Sequence, residues 1–579
     1  MSEKYLKFGT GGLRGIMGPA TNQMNMNTIR RATKGLANYI VSLGRQADGV
    51  VIGHDTRMNS REFALEAAGV LLADGIKVYL FDRCTPTPEI SFAIRQKKAV
   101  AGIVITASHN AKEYNGYKVY WEDGGQITPP HDKNIMAEVE KVEHVENVQV
   151  IDVSACAQIL VSGKASEELK STMALFEKLG EDIEETYVST IQKTVESLIN
   201  VKSGEKDLKI AYTPLHGTGL YPVSKVLKNN GFTNVYFEPA QSVQDGTFPT
   251  VGYPNPESAK AWDLGLKFAK EVDADVVFAT DPDADRVGMY VKDTASGKYI
   301  WFTGNMAGVL VGEYILREGK YLQKFQTNLS NQEKGSLDLS LACLCNENDT
   351  CDKKNTIVRT IVTSKMLDVI AKRYDVDVLE TLTGFKYIGE QIRWFEENCD
   401  RNFVYGFEES CGCLLGDYVR DKDGVAAVLM LCEMAQNLKH EGRTLWDYMQ
   451  EIYAEYGYYL EQQKTIAFEG EDGAEKMSQI MEQIRVNTPK AIGEFQVNAF
   501  RDYKSGTRML LDTGKEEILT LPKSNVMYFE LNDEAWCCIR PSGTEPKLKM
   551  YFGVVGDSQS NAIDKAKAME DAFVDLFFS

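Results

Sequence analysis

A chain of 579 residues is long enough for several hydrophobic cores, and 43% apolar with 25% charged residues is the composition of a globular protein rather than a disordered or fibrous one. Eighty-three acidic against 64 basic residues leave a net charge of −19, which disfavours nucleic acid and anionic membranes as partners and requires any small anionic substrate to be met by cations gathered locally. No apolar run reaches the roughly 18 to 20 residues of a membrane helix, Met1–Tyr5 leads into no signal-like segment, and eleven cysteines without small-scaffold spacing suit a reduced, cytoplasmic protein.

Residues 1–27 contain Phe8-Gly-Thr-Gly-Gly-Leu-Arg14-Gly15, read as a Gly-rich turn whose backbone could approach a ligand closely. Helical patterns near 28–43, 60–73 and 87–97 then alternate with short strands at Val50–Ile52, Lys77–Phe81 and Ile103–Ile105, the order of βαβ units and a mainly parallel sheet. A long charged helix near 166–199 is expected to close this first domain, with a linker at Lys202–Asp207. A second unit opens at Leu208–Thr213, passes helices near 221–230 and 257–270, and runs its strand Ala274–Thr280 into Asp281-Pro-Asp-Ala-Asp-Arg286. A third runs from Thr356 through helices near 364–373 and 385–397 to the strand Asn402–Tyr405, which delivers Gly406-Phe-Glu-Glu-Ser410. The polar segment 324–355 reads as an insertion, and Cys343, Cys345 and Cys351 within it lack a neighbouring histidine and the C-x-x-C spacing of a zinc site. After about 440 the pattern becomes helix, several strands and a final helix at 558–577, an α+β arrangement. The expected boundaries are therefore 1–203, 204–323, 324–440 and 441–579: three related α/β domains around one central cleft, and an α+β domain at the C-terminus.

Chemistry gathers where strands end. The apolar run Ile103–Ile105 stops in Thr106-Ala-Ser108-His109-Asn110, which would hold a hydroxyl at the carboxyl edge of a sheet, where open α/β sheets bind ligands. Adjacent strand residues point to opposite faces, and no G-x-S-x-G surrounds Ser108, which argues against a Ser-His hydrolase. Asp281, Asp283 and Asp285 alternate, so an extended backbone would put three repelling carboxylates on one side, a set suited to Mg²⁺. An EF-hand fails because Arg286 and Lys292 occupy the required Gly and Glu positions, and no Walker-A motif occurs. Arg540-Pro-Ser542-Gly543-Thr544-Glu-Pro-Lys547 is rich enough in donors to cradle a phosphate. His216 reads as structural.

Taken together and in order, the motifs at 8–14, 106–110, 281–286, 406–410 and 540–547 resemble the α-D-phosphohexomutase superfamily and its phosphoglucomutase/phosphomannomutase family, closest to phosphoglucomutase 2 and the long bacterial α-phosphoglucomutases, over essentially the whole chain. The resemblance implies that the C-terminal domain is a lid. It also implies a phosphoserine at Ser108 that exchanges a phosphoryl group with a sugar monophosphate, through glucose 1,6-bisphosphate as intermediate and activator. One Mg²⁺ per chain would be held by Asp281, Asp283, Asp285 and the phosphoryl oxygen on Ser108. Glu408 and Ser410 would hold sugar hydroxyls, and Arg540, Ser542, Gly543 and Thr544 the phosphate that is not reacting, with Arg286 and Lys547 also substrate-binding. Arg14 and Lys118 would line the reacting centre, and proton transfer would fall to Lys386, lowered in pKa by nearby cations, or to the neighbourhood of His109.

Glucose phosphates are the expected substrates, mannose and pentose phosphates the alternatives, and a monomer the expected state. Two other readings stay open: a metal-dependent phosphatase with Asp281 as nucleophile and Asp283 as acid and base, and a silent sugar-phosphate sensor. The sequence departs from the family pattern at Cys411-Gly-Cys413, beside the sugar loop, and in the 324–355 insertion.

Overall fold

The computed structural model describes residues 5, 6, 8, 11–161, 166–319, 353–468, 473–542 and 547–578. The chain divides into two compact units, residues 1–358 with 384–446 and residues 359–383 with 447–579.

The first sheet runs Gly12–Ile16, Tyr114–Trp121, Ala101–Ile105, Val50–His54, Val78–Phe81, Phe176–Leu179. Its last four strands are parallel, and the first two add antiparallel at one edge. Val50-Val-Ile-Gly-His54 and Ala101-Gly-Ile-Val-Ile105 are buried along their whole length, the continuous apolar pattern of strands covered on both faces. The strands at 78–81 and 101–105 lie on opposite sides of 50–54, so the connections leaving His54 and Ile105 diverge there. That divergence opens a crevice at the carboxyl edge, into which Asp55–Arg57 and Thr106–Asn110 emerge side by side.

The second sheet runs Tyr299–Phe302, Val287–Lys292, Val276–Thr280, Ile210–Thr213, Val235–Phe237, again parallel in its core and antiparallel at one edge. Val287 pairs with Thr280, so residues 281–286 form the turn of a hairpin. Further along the chain come the strands Lys354–Thr360 and Asp377–Thr381, and in the first unit the hairpin of Arg401–Glu408 with Gly412–Leu415. The last sheet lies in the second unit and is antiparallel from Tyr458–Ala467 to Glu516–Ile518. Its inward residues Phe529, Cys537, Ile539, Met550 and Phe552 pack with Met481, Ile484, Met569 and Phe573 of the helices Gly473–Val486 and Gln559–Phe578. Three α/β regions and a β-rich C-terminal region thus follow one another along the chain.

Several expectations change in detail. The first sheet gains an antiparallel edge strand, Gly12–Ile16, where a turn was expected; at Gly12, φ is 136° and a Cβ would meet the Tyr117 carbonyl oxygen at 1.9 Å, so only glycine fits this pairing. The helix expected at 166–199 is two helices, Glu167–Met173 and Glu181–Leu198, separated by the strand Phe176–Leu179; pairing with Val78–Phe81 outweighs local helix propensity there. The helix expected at 257–270 begins as a 3₁₀ turn, Ala259–Trp262, before Asp263–Glu271. Lys354 and Asn355 belong to a strand, and the rest of the expected insertion up to residue 352, with Cys343, Cys345 and Cys351, lies outside the described residues. The eight cysteines among the described residues are free thiols. Among those residues no helix is long and apolar enough to cross a membrane.

A buried polar seam joins helix Thr87–Lys97 to helix Glu181–Leu198. Glu184 is paired with Arg83 at 2.7 Å and Lys225 at 3.1 Å, while Tyr187 and Tyr418 donate to Asp423 at 2.8 and 2.6 Å. Glu89, 1% exposed, has an Oε1 with no hydrogen-bond partner among the described residues. Burial, with Glu184 adding to it, pushes the Glu89 carboxyl up to about 8. Its folded pKa lies above the ordinary value of 4.5, so the stability its proton supports is complete below that value and is lost as pH rises through about 8. Glu89→Gln should therefore match the parent near pH 4 and exceed it in thermal midpoint near pH 8, as followed by circular dichroism melts.

Candidate active site

Ser108 is 3% exposed and has φ of 53°, a left-handed conformation uncommon for a residue with a Cβ. Its backbone is held by Arg57, which is 3% exposed. Arg57 donates through Nη2 to the carbonyls of Ser108 and Asn110, and through Nη1 to those of Ala111 at 2.8 Å and Tyr114 at 3.2 Å. Asp55 completes the frame: it pairs with Arg57 Nε at 3.2 Å and accepts from Ser60 Oγ and Thr106 Oγ1 at 2.7 Å each, while Thr106 Oγ1 accepts from Ser108 N at 2.7 Å. A guanidinium presents a rigid fork of donors, which is why one side chain can satisfy four carbonyls of a strained loop.

The serine side chain points at the metal loop. Ser108 Oγ donates to Asp281 Oδ2 at 2.8 Å and lies 3.0 Å from His109 Nδ1. The opposite-face argument for His109 therefore fails, because residues 106–110 have left the strand. Residues 281–285 are likewise a turn, with Ala284 at φ 51° and its N–H on the Asp281 carbonyl at 2.9 Å. Convergence, rather than extended alternation, brings ligand oxygens of Asp281, Asp283 and Asp285 within 4.8 Å of one another.

All three carboxylates are buried. Asp283 Oδ2 accepts from Thr87 Oγ1 and Lys118 Nζ at 2.8 Å each, and Asp285 Oδ2 lies 3.4 Å from Lys118 Nζ and 3.2 Å from Lys422 Nζ. Burial together with Asp283 and Asp285 pushes the Asp281 carboxyl well above its ordinary range, whereas Asp283 is held low against burial by Lys118. The Oδ1 atoms of Asp283 and Asp285 have no hydrogen-bond partner among the described residues. Buried carboxylate oxygens left without donors, in a cluster that repels itself, fit a hard divalent cation, so the triad could hold a metal ion.

Cations from separate stretches of chain surround this cluster. Arg14, on the edge strand, donates to Asn110 Oδ1 at 3.3 Å; burial lowers its pKa and Asp283 opposes. Lys118 and Lys422 are both raised, against burial, by the carboxylates they face. Arg286 pairs with Glu257 at 3.3 Å and is raised, against burial, by Glu257, Asp285 and Asp281. Glu408 ends a strand and accepts from Gly384 N at 2.8 Å; burial raises its pKa while Lys422 and Arg286 pull it down. Ser410 lies half-buried in the turn after it.

Lys386 belongs to a neighbouring group. It lines a small cavity with Trp121, His131 and Arg393, and burial lowers its pKa while Asp132 and Glu390 oppose. The expected cause, nearby cations, is thus replaced by desolvation. Both nitrogens of His216 are hydrogen-bonded, to the Val243 carbonyl and to Thr250 Oγ1, at 2.8 Å each. In the second unit, Arg540 donates to the Tyr551 hydroxyl at 3.1 Å, and Ser542 N donates to the Lys547 carbonyl at 2.7 Å. Gly543 and Thr544 lie outside the described residues.

Sequence reading missed Asp55, Arg57, Thr87, Lys422 and Tyr253, whose ring meets His109 edge-on at 5.7 Å. Lys422 had a legible signal: Arg420-Asp-Lys-Asp423 directly precedes the helix Gly424–His440, which is buried through Leu438. Asp55 and Arg57 had a weaker one, a charged pair directly after a wholly buried strand.

Three family models match: phosphoglucomutase/phosphomannomutase alpha/beta/alpha domain I at residues 5–146, domain II at 185–297 and domain III at 339–456. The chain is 34% identical over 557 residues to a protein named phosphoglucomutase from Staphylococcus haemolyticus, covering 96% of this chain and 91% of that one. It is similar in fold to parafusin, a phosphoglucomutase from Paramecium in an open form, with TM-score 0.66, 16% identity and coverage of 99% and 95%. It also resembles Aspergillus fumigatus N-acetylphosphoglucosamine mutase in complex with GlcNAc-6P and magnesium, with TM-score 0.51, 13% identity and coverage of 100% and 97%.

Calorimetric titration with Mg²⁺ should show saturable binding that Asp285→Asn weakens by roughly tenfold or more, the scale on which losing one charged contact of about 1.5 kcal/mol is felt.

Proposed function

We propose, for a chain that belongs to the phosphoglucomutase/phosphomannomutase family and is a phosphosugar mutase, that it interconverts α-D-glucose 1-phosphate and glucose 6-phosphate through a phosphoserine at Ser108. The observation that carries this reading is Ser108 Oγ, 2.8 Å from Asp281 Oδ2 at the edge of three buried carboxylates. A hydroxyl in that position has oxygens on one side that can share a cation with a phosphoryl group. A phosphatase built on Asp281 would leave both the strained serine and its Arg57 frame without a task.

In the proposed reaction the Oγ–P bond of phosphoserine breaks and a P–O bond forms to the free hydroxyl of a sugar monophosphate, giving glucose 1,6-bisphosphate. The bisphosphate turns over, its other phosphoryl group returns to Ser108, and the isomeric monophosphate leaves. Asp281, Asp283 and Asp285 would hold one Mg²⁺ per chain, which when bound would neutralise charge on the phosphoryl oxygens; the Aspergillus relative was crystallised with magnesium. Arg14 and Lys118 contribute fixed positive charge to the group in flight, and Arg286 binds the substrate alongside them. His109, its Nδ1 3.0 Å from Ser108 Oγ, is assigned to proton movement at the serine oxygen, and Lys386, lowered by burial in its own small cavity, is the other candidate base. Glu408 and Ser410 are assigned to the sugar hydroxyls, a buried carboxylate accepting from either orientation of the ring. In the second unit Arg540, Ser542, Gly543, Thr544 and Lys547 are assigned to the phosphate that is not reacting.

The same reading divides the chain at 203, 323 and 440. The family-model matches support three α/β domains, although the second begins at residue 185 and the third ends at 456, displaced from those boundaries.

Peptide mass analysis of purified protein should find one phosphoryl group on Ser108, lost on mixing with glucose 1-phosphate. Ser108→Ala should keep its thermal midpoint and lose turnover by on the order of 10³ or more. Unphosphorylated protein that stays inactive after priming with glucose 1,6-bisphosphate would overturn the reading. Arg540→Ala should raise KM for the sugar phosphate roughly tenfold with little change in stability, the effect of one lost charged hydrogen bond.

A further inference from the structure

Toward the end of the first sheet away from its antiparallel strands, a cavity of about 230 Å³ lies between the strands at 50–54, 78–81 and 176–179, the helix Ser60–Ala73 and the start of the helix Val153–Val161. The parallel register pairs Ile52 with Leu80 and Leu80 with Lys178, so His54, Leu80 and Lys178 share one face of the sheet. The helix supplies Arg61, Ala64 and Leu65, spaced three and four residues apart and so on one side of it. Leu65, Leu80 and Phe176 make the wall apolar, and Arg61, Lys178 and Asp82 are exposed at its rim. Neither Arg61 nor Lys178 has an ion pair or side-chain hydrogen bond among the described residues, so both guanidinium and ammonium groups are available to an anion at the rim.

His54 adds a third, buried point of recognition. It is 4% exposed, and its Nδ1 donates to the Asp55 carbonyl at 2.9 Å. Burial lowers its pKa, so the ring is neutral at pH 7 and Nε2 carries a lone pair. The cavity therefore presents two cations and one carboxylate, Asp82, at its mouth, a net positive rim, with an apolar middle and a hydrogen-bond acceptor among its lining residues.

We propose that this cavity is a second small-molecule site, for a carboxylate or phosphate anion joined through a small apolar body to an O–H or N–H donor, and that its occupancy acts on the Ser108 loop. The route is short. His54 and Ser60, the first residue of the helix that carries Arg61, flank Asp55; Ser60 donates to the Asp55 carboxylate, which accepts from Thr106, which holds the Ser108 backbone N–H. A ligand that draws Arg61 and His54 together shifts both supports of Asp55.

The probe is 4-hydroxybenzoate, titrated calorimetrically into the full chain. It should bind, benzoate without the donor and phenol without the anion should bind more weakly, and the Arg61→Ala, Lys178→Ala double variant should lose roughly tenfold in affinity or more. Both substituted positions are exposed, so an unchanged thermal midpoint checks the fold. Saturating 4-hydroxybenzoate should change kcat of the parent and leave the double variant unaffected. Absence of binding at roughly millimolar probe, the weakest affinity of practical interest, or equal binding to parent and double variant, overturns the site. Binding that depends on Arg61 and Lys178 but leaves kcat unchanged overturns the coupling. The binding readout does not depend on which sugar phosphate is the substrate.

Discussion

Three carboxylates within 4.8 Å of one another and out of water form an arrangement that does not hold itself together. Desolvation and mutual repulsion both push protons onto them, and they stay ionised only where cations are brought against them. Much of the first unit can be understood as the means of bringing those cations. Lys118 arrives on an antiparallel strand added to the first sheet, and Lys422 on the segment that precedes a buried helix. Thr87, the first residue of another helix, supplies a neutral donor to the same carboxylate as Lys118. No single motif supplies enough positive charge, so the cluster depends on segments from across the unit meeting at one place.

The serine loop answers a different constraint. A left-handed residue with a Cβ costs on the order of 1 kcal/mol or more, and persists only where surrounding contacts over-determine it. Here the contacts come from a buried arginine on the neighbouring parallel strand's exit, because strands 50–54 and 101–105 end level with each other. The crevice produced by strand order and the frame that holds Ser108 thus have a common origin in sheet topology.

This division explains which parts were legible in the sequence. Helices 60–73 and 87–97 and the buried strands were readable because their patterns are local, apolar and bounded by clear stops. The motifs with Ser108, Asp281, Asp283, Asp285, Glu408 and Arg540 were readable because polar residues directly after apolar runs stand out. The strand at 12–16 was not, since glycine-rich chain signals a turn and only pairing with 114–121 makes it a strand. Phe176–Leu179 was hidden inside a charged helical pattern for the same reason. Arg57, Asp55 and Lys422 escaped because their importance lies in partners 50 to 140 positions away, which spacing along the chain does not encode. The geometric argument about His109 failed through assuming that the strand continued past Ile105.

The burial of those cations has a kinetic consequence. From outside, a phosphorylated sugar approaches a body of net charge −19, whose field is repulsive until screened over roughly 8 Å at physiological ionic strength. Lys118, Arg286 and Lys422 are already paired with carboxylates and Arg14 is buried, so little of their field reaches past the protein surface. Encounter with the dianion would then be uphill at long range and favourable only once inside. Added salt, which slows association in electrostatically steered enzymes, would here relieve the outer barrier and hasten it.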